Sequence, residues 1–402
     1  MWPIVSGGDD RPRLRSMTVR RLRPHATTIF SEVTQLAVRY GAVNLGQGFP
    51  DTDGPPSMIE AAVRAMREGH NQYPPGTGVP ELRHAIVAHE TAHTGLVHDP
   101  DSEVLVTVGA TEAIAGAVLG LVEPHDEVVV IEPSYDSYAA TVAMAGATRR
   151  PARMVRSGDR FRLDVDSLRA AFSPRTRAVL VNSPHNPTGA VLPREDLEQI
   201  AALCREFDAI AISDEVYEHL TYDDNEHVSI ATLPGMSERT LRISSAGKML
   251  NCTGWKIGWV TGPAGLIAGV RTAKQYLSYT AGTPLQLAVA HALSHEDEWI
   301  RALRVQMQDR RDRLVGILTG LGVDLAVTQG TYFLTADPRP LGVTDAASWC
   351  LELPEKVGVA AVPFAPFTDT YSAEWSHLVR FAFCKRPEVL AEAGRRLQGL
   401  AT

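Results

Sequence analysis

The stretch VLVTVGATEAIAGAVLGLV, Val104 to Val122, decides how the chain is built. Five residues rich in β-branched side chains read as a strand. Gly109 breaks it, and the segment from Thr111 carries a helical pattern. A strand running straight into a helix is the repeating element of a parallel sheet. The same alternation recurs at EVVVI from Glu127, AVLVN from Ala178, AIAIS from Ala209 and LRIS from Leu241. Among the intervening helix patterns is LPREDLEQIAALCREF, with Pro193 at a first-turn position. The expectation is an α/β fold with a mostly parallel sheet covered by helices. Ligands of such sheets sit where the strands end. There the first-turn amides after Gly109 offer an anion site, with a phosphate resting on Ala110 and Thr111.

The 402 residues are 44% hydrophobic and 21% charged, as in an ordinary globular protein. A net charge of −8 argues against nucleic acid or an anionic membrane as partner and favours a small-molecule enzyme. Cys204, Cys252, Cys350 and Cys384 form no close pair and read as reduced thiols of a cytoplasmic protein. No apolar run approaches the roughly 18–20 residues that span a bilayer. Residues 1–19 read as a disordered extension; six arginines between Arg11 and Arg23 imitate a transit peptide, and Met17 is an alternative start. Beyond about residue 290 the pattern changes. Ile300, Leu303, Met307, Leu314, Leu318 and Leu321 recur at helical spacing until Gly322 stops them, predicting one long helix and then a smaller α+β region.

HETAH, His89 to His93, matches the HExxH pattern of zinc proteases, in which two histidines one turn apart bind metal and the glutamate is general base. Gly95 and His98 follow, but the longer protease pattern needs one more residue before the glycine. Leu82 and Ile86 share the helix face. The preferred reading is a partly buried helix with incidental histidines, with no metal assigned.

Other residues gather after strands. Asn186 in NSPHNPTG precedes a proline, which disfavours helical geometry there. Asp214 and Tyr217 close the apolar strand of ISDEVYEHL, where a carboxylate is either a helix cap or an ion-pair acceptor. Lys248 lies among small and apolar residues in SSAGKMLNCTGWKIGW, and a second lysine, Lys256, ends the same motif. An amide, an acid, a phenol and a lysine thus meet at one sheet edge.

The motifs VGATEA, EPSYDSY, NSPHNPTG, SDEVYEHL, SSAGKMLNCTGWKIGW and VRFAFCK occur in the order found in class I aminotransferases, the fold-type I enzymes that use pyridoxal 5′-phosphate. The resemblance runs from about Arg20 to the C-terminus. It implies a three-layer αβα large domain with a seven-stranded sheet over residues 55–290, and a smaller α+β domain from 20–54 and 291–402. Lys248 then resembles the lysine that holds the cofactor aldehyde, its amine made nucleophilic by burial. Lys256 takes the position of a phosphate-binding Arg or Lys, with Ala110, Thr111 and Ser245 completing that site. The resemblance further places Asp214 on the pyridine nitrogen, Asn186 and Tyr217 on the phenolic oxygen and Tyr135 on the ring face. Tyr73 of QYPPGTG would reach the phosphate of a neighbouring subunit, making a homodimer with shared sites. Gly48 of NLGQGFPD would let substrate approach the backbone, and Arg380 would clamp its α-carboxylate. A ping-pong exchange between an amino acid and a 2-oxo acid follows.

NLGQGFPD, NQYPPG, NCTGWKIGW, AKQYLSY and the GTYF segment are similar to the kynurenine and glutamine aminotransferase branch. Within that branch the chain is most similar to actinobacterial N-succinyldiaminopimelate aminotransferases, implying N-succinyl-2-amino-6-ketopimelate and glutamate as substrates. Two departures stand out. MLNC follows Lys248 where many relatives have TFSM or TFSA, which would alter the wall beside the cofactor. No second arginine is assigned to a distal carboxylate, Lys274 and Arg23 being candidates, so an aromatic or glutamine-type donor with β-lyase activity is the alternative. A regulator would need a DNA-binding domain before residue 30, and a silent scaffold would have lost Lys248 or Asp214.

Overall fold

The computed structural model describes residues 18–26 and 29–400, so most of the expected extension over 1–19 lies outside the described residues. The main sheet has eight strands: β1 (Val104–Val108), β2 (Glu127–Glu132), β3 (Thr148–Ser157), β4 (Arg160–Leu163), β5 (Thr176–Asn182), β6 (Ile210–Asp214), β7 (Thr240–Ser245) and β8 (Ile257–Thr261). Their spatial order is β1-β8-β7-β6-β5-β2-β3-β4. Strands β7, β6, β5, β2 and β3 are mutually parallel. The eighth strand, beyond the expected seven, is β4, which folds back antiparallel on β3. These two strands, TRRPARMVRS and RFRL, escape hydrophobic pattern reading because they form the edge, where arginines and a proline discourage further pairing.

Strand residues alternate between two cores. Val128, Val130, Ala178 and Leu180 meet α2 (Gly109–Leu121) and α4 (Ala264–Leu277) on one face. Val129, Ile131, Val179 and Val181 meet α3 (Arg194–Glu206) on the other. Helices α2 and α4 cross closely because small residues meet there: a Cβ on Gly269 would lie 3.2 Å from the Gly120 carbonyl oxygen. Pro193 is the N-cap of α3 rather than its first helical residue.

The long helix predicted after residue 290 is α5 (Asp297–Gly320), which buries Ile300, Leu303, Met307, Leu314 and Leu318, with Gly322 beyond it at φ +84°. A second, antiparallel sheet follows, with β9 (Asp324–Leu325), β10 (Phe333–Asp337), β11 (Val362–Pro363) and β12 (Val379–Ala382) in the order β9-β10-β12-β11. Val43–Asn44 pairs in parallel with Val359–Ala360, which joins the segment before the main sheet to the C-terminal region. The four cysteines are buried and unpaired. Among the described residues no helix is long and apolar enough to cross a membrane.

Behind the strand ends lies a buried ionic cluster. Arg242 on β7 donates to Glu215 at 2.7 Å, to Glu90 on α1 (Pro80–Thr94) at 2.6 Å, and to Glu218. Burial alone would raise Glu218 and Glu215, but the Arg242 guanidinium outweighs it and holds both below the usual carboxylate range; burial wins at Glu90, which is raised. Replacing Arg242 by Met strands these acids in the interior, a change that costs about 3–5 kcal/mol. Urea unfolding at neutral pH should show that loss. It should shrink as pH falls through the carboxylate range, where protonation removes the uncompensated charge; an unchanged midpoint at neutral pH would contradict the role given to Arg242.

Candidate active site

Because β8 runs antiparallel to both neighbours, it begins at the edge where β1, β7, β6 and β5 end. Lys256, just before β8, is thereby delivered to the same edge as Val108, Ser245, Asp214 and Asn182. A cavity of about 340 Å³ opens there, lined by both sheet systems through Lys248, Asp214, Asn186 and Arg380. Its size is in the range of small-molecule sites.

Lys248 sits in the short helix Ala246–Met249, whose N-cap Ser245 accepts from the Gly247 amide at 3.2 Å. The Lys248 amine donates to Tyr332 Oη at 2.7 Å, and Tyr332 Oη donates to the Gly48 carbonyl at 2.6 Å. Burial brings Lys248 down to about 8; Cys384 and Asp214 pull it upward, Lys256 and Arg380 push it down. About a tenth is therefore free amine at pH 7, far more than for an ordinary lysine. Asp214 is raised to about 6 by burial, although Tyr138 Oη donates to its Oδ2 at 2.6 Å. An added cation against that carboxylate would restore its charge.

The end of the cavity at Lys256 is built from close backbone approach. Gly109 has φ +71°, and a Cβ there would lie 3.0 Å from Lys256 Nζ. Gly258 is equally constrained, since a Cβ would lie 2.8 Å from the Ala110 amide nitrogen. Ala110 and Thr111, in the first turn of α2, line the cavity with Ser245 and Lys256. Unpaired first-turn amides beside an ammonium group suit an anion.

At the opposite wall, Arg380 on β12 donates to Asn186 Oδ1 at 2.8 Å and to the Gly46 carbonyl at 3.0 Å, while its Nε is buried without a partner. Its guanidinium lies 3.9 Å from the Phe333 ring centroid, and burial lowers it to about 10. A buried arginine with a spare donor is poised for a carboxylate. Tyr135 and Tyr217 line the same cavity, and burial raises both phenols.

Of the residues singled out from sequence, Tyr73 is not brought to this cavity: it is 84% exposed and packs edge-on against Tyr279. Gly48 lines the cavity, and a Cβ there would lie 2.6 Å from Phe333 Cε1 and closer still to Cζ. Its packing against Phe333 demands glycine whatever the substrate does. MLNC does not form the wall beside Lys248, because Met249, Leu250 and Cys252 are buried in an apolar core. Neither candidate for the distal carboxylate lines the cavity. Lys274 donates inside the fold to the Gly76 and Tyr279 carbonyls, and Arg23 donates to the Thr18 carbonyl at the surface. Tyr332, Tyr138 and Phe333 were missed. Tyr138 was visible as the second tyrosine of EPSYDSY, whereas GTYF gave no sign that its tyrosine meets Lys248.

Comparison with known proteins agrees with this geometry. The profile of the family "Aminotransferase class I and II" matches residues 40–397. The chain is 58% identical to the probable N-succinyldiaminopimelate aminotransferase DapC of Mycobacterium tuberculosis, over 96% of this chain and 99% of that protein. The solved structure of the N-succinyldiaminopimelate aminotransferase from Mycobacterium tuberculosis superposes with a TM-score of 0.94 at 59% identity, covering 95% of this chain and 100% of that one. A methionine aminotransferase of Escherichia coli is 38% identical over 93% of this chain and 96% of its own length. The kynurenine–oxoglutarate transaminase 3 of mouse is 37% identical over 94% and 89%.

The lowered Lys248 amine gives a direct test. Schiff-base formation by ligand-free protein with a small aldehyde, followed by absorbance, should speed up with pH and level off just above about 8. A rate still climbing towards the ordinary lysine value of 10.5 would show that burial does not act as described.

Proposed function

The chain belongs to the class I and II aminotransferase family and is a transaminase, and we propose that it uses pyridoxal 5′-phosphate to exchange an amino group between glutamate and N-succinyl-2-amino-6-ketopimelate. The observation that carries this reading is the convergence of Lys248, Asp214 and Arg380 on one cavity. The substrate choice is supported by the likeness to the Mycobacterium tuberculosis protein. The residues fit the cofactor: first-turn amides and Lys256 for its phosphate, Asp214 for its ring nitrogen, and a partly free amine for its aldehyde.

When bound, the cofactor supplies an electron-withdrawing ring conjugated to an aldehyde, which takes the amino group and delocalises the electron pair left at Cα. Asp214 would keep the ring nitrogen protonated, Asn186 and Tyr217 would hold the phenolic oxygen, and Tyr135 would cover the ring face. Arg380 fixes the substrate carboxylate, which orients the Cα–H bond towards Lys248. The Lys248 amine would be the group that carries the proton from and to Cα. Tyr332 Oη, already 2.7 Å from Nζ, steers that amine.

The exposed Tyr73 supports a homodimer in which this side chain serves the partner's phosphate. A cytoplasmic setting is supported by buried, unpaired thiols. The proposed division is a large domain over 55–290 and a small one from 20–54 and 291–402, with the cavity between them. An aromatic donor is the second reading, favoured by Phe30, Phe49 and Phe333 at the cavity wall and by Arg380 as the sole arginine among its described lining residues.

Turnover across a panel of donors and oxo acids decides the substrate. We expect the succinylated keto acid with glutamate to give the highest kcat/KM; higher values for kynurenine or methionine would overturn this choice in favour of the second reading. Arg380→Lys should lower kcat/KM about 10–100-fold, as expected for weakened charge-assisted hydrogen bonds. The cofactor's absorbance should be retained, and its loss would refute the placement of Arg380.

A further inference from the structure

The proposed reaction makes no use of HETAH, yet the fold brings a third imidazole to it. His89 and His93 lie one turn apart on α1, and His219 arrives from the segment after β6, two residues beyond Tyr217. Their ring centroids are 4.2, 4.8 and 4.9 Å apart, and one ligand nitrogen from each ring lies within 4.8 Å of the others. His89 Nε2 and His219 Nε2 are 2.8 Å apart.

Tautomers follow from the partners. The His93 Nδ1–H donates to the His89 carbonyl at 2.8 Å, which leaves His93 Nε2 with its lone pair. The buried His89 Nδ1 has no hydrogen-bond partner, but Asp297 Oδ1 lies 4.0 Å away. An Nδ1–H facing that carboxylate leaves His89 Nε2 as a second lone pair, and only His219 must move its proton to Nδ1. A ring N–H directed at a carbonyl or carboxylate is the outer arrangement that metal-binding histidines ordinarily have.

We infer that His89, His93 and His219 form a site for a divalent transition metal, zinc by ligand chemistry, that clamps α1 to the segment carrying Asp214 and Tyr217. Zinc–nitrogen bonds of about 2.0–2.1 Å in a tetrahedron set nitrogens ~3.4 Å apart. The His89–His219 pair therefore opens by about half an ångström, and His93, on the exposed side, swings inward. Water takes the fourth position. The site is not that of a zinc protease. Glu90, the general base of that motif, is spent on Arg242, Trp259 Nε1 at 3.2 Å and Thr261 Oγ1 at 2.9 Å. His98 is not the third ligand either; it sits 3.7 Å from Glu90 and from Glu103.

The test is a zinc titration of chelator-treated holoenzyme against a chromophoric zinc indicator, with bound metal counted by plasma mass spectrometry. We expect one zinc per chain. Losing an exposed ligand in His93→Ala should weaken binding about 100-fold or more, and His219→Gln should do the same, whereas His98→Ala should bind as the parent does. Zinc should raise the melting temperature of the parent and leave that of His93→Ala unchanged. Cofactor absorbance establishes that each variant is folded. Absence of stoichiometric zinc in the parent, or equal affinity in His93→Ala, would overturn the site.

Discussion

The Arg242 guanidinium is the interaction on which both sites depend. It reaches Glu215 and Glu218, which bracket Tyr217 in the segment between Asp214 and His219, and it reaches Glu90, which lies between His89 and His93. A segment leaving a strand end would ordinarily be free to move. Here it is held on both sides of Tyr217 by charge-assisted bonds in a dry interior, where breaking one leaves an unpaired ion. Further donors complete the cluster: Ser244 to Glu218 at 2.6 Å, and Ser213 and Ser229 to Glu215 at 2.8 Å. Asp214 and Tyr217 thus occupy fixed positions before any ligand arrives, which is what preorganised chemistry requires.

The charge balance of the cavity says what it is built to hold. Its described lining offers three cationic side chains, Lys248, Lys256 and Arg380, against the single acid Asp214. Burial disfavours each of these charges, lowering Lys248 and Arg380 and raising Asp214. Two separated anions relieve the strain, one at the first turn of α2 beside Lys256 and one at Arg380. A phosphate-bearing cofactor and an α-carboxylate meet that demand. A neutral ligand would leave it unmet.

How much of this was legible from sequence follows from where each signal resides. The parallel strands and α2 were readable because central strands are continuous apolar runs and helices that cover them are periodic. Strands β3 and β4 were not, because an edge is written in arginine and proline. Asp214, Asn186, Tyr217 and Lys248 could be placed together because each lies at or beyond a strand end, and topology sends parallel strand ends to one edge, where the four line one cavity. Lys256 was found from its motif, though the reason it reaches that edge is the reversed direction of β8, which no local pattern reveals. The His89 and His93 pair was visible as helical spacing. His219 was not, since its place beside them is set by packing across the sheet.

Tyr332 shows why the missed residues matter. Its hydroxyl accepts from Lys248 and donates to Gly48, while Arg380 donates to Gly46 two residues earlier. The short segment from Gly46 to Gly48 is therefore gripped at one end by Arg380 and at the other, through Tyr332, by Lys248. A carboxylate that draws Arg380 away from Gly46 changes the hold on that segment, and the Tyr332 hydroxyl is the atom positioned to feel it. Arg380 and Lys248 are thus tied to one stretch of backbone. The bulk of Phe333 against Gly48 keeps that stretch from relaxing, since the absence of a single Cβ is what allows the contact.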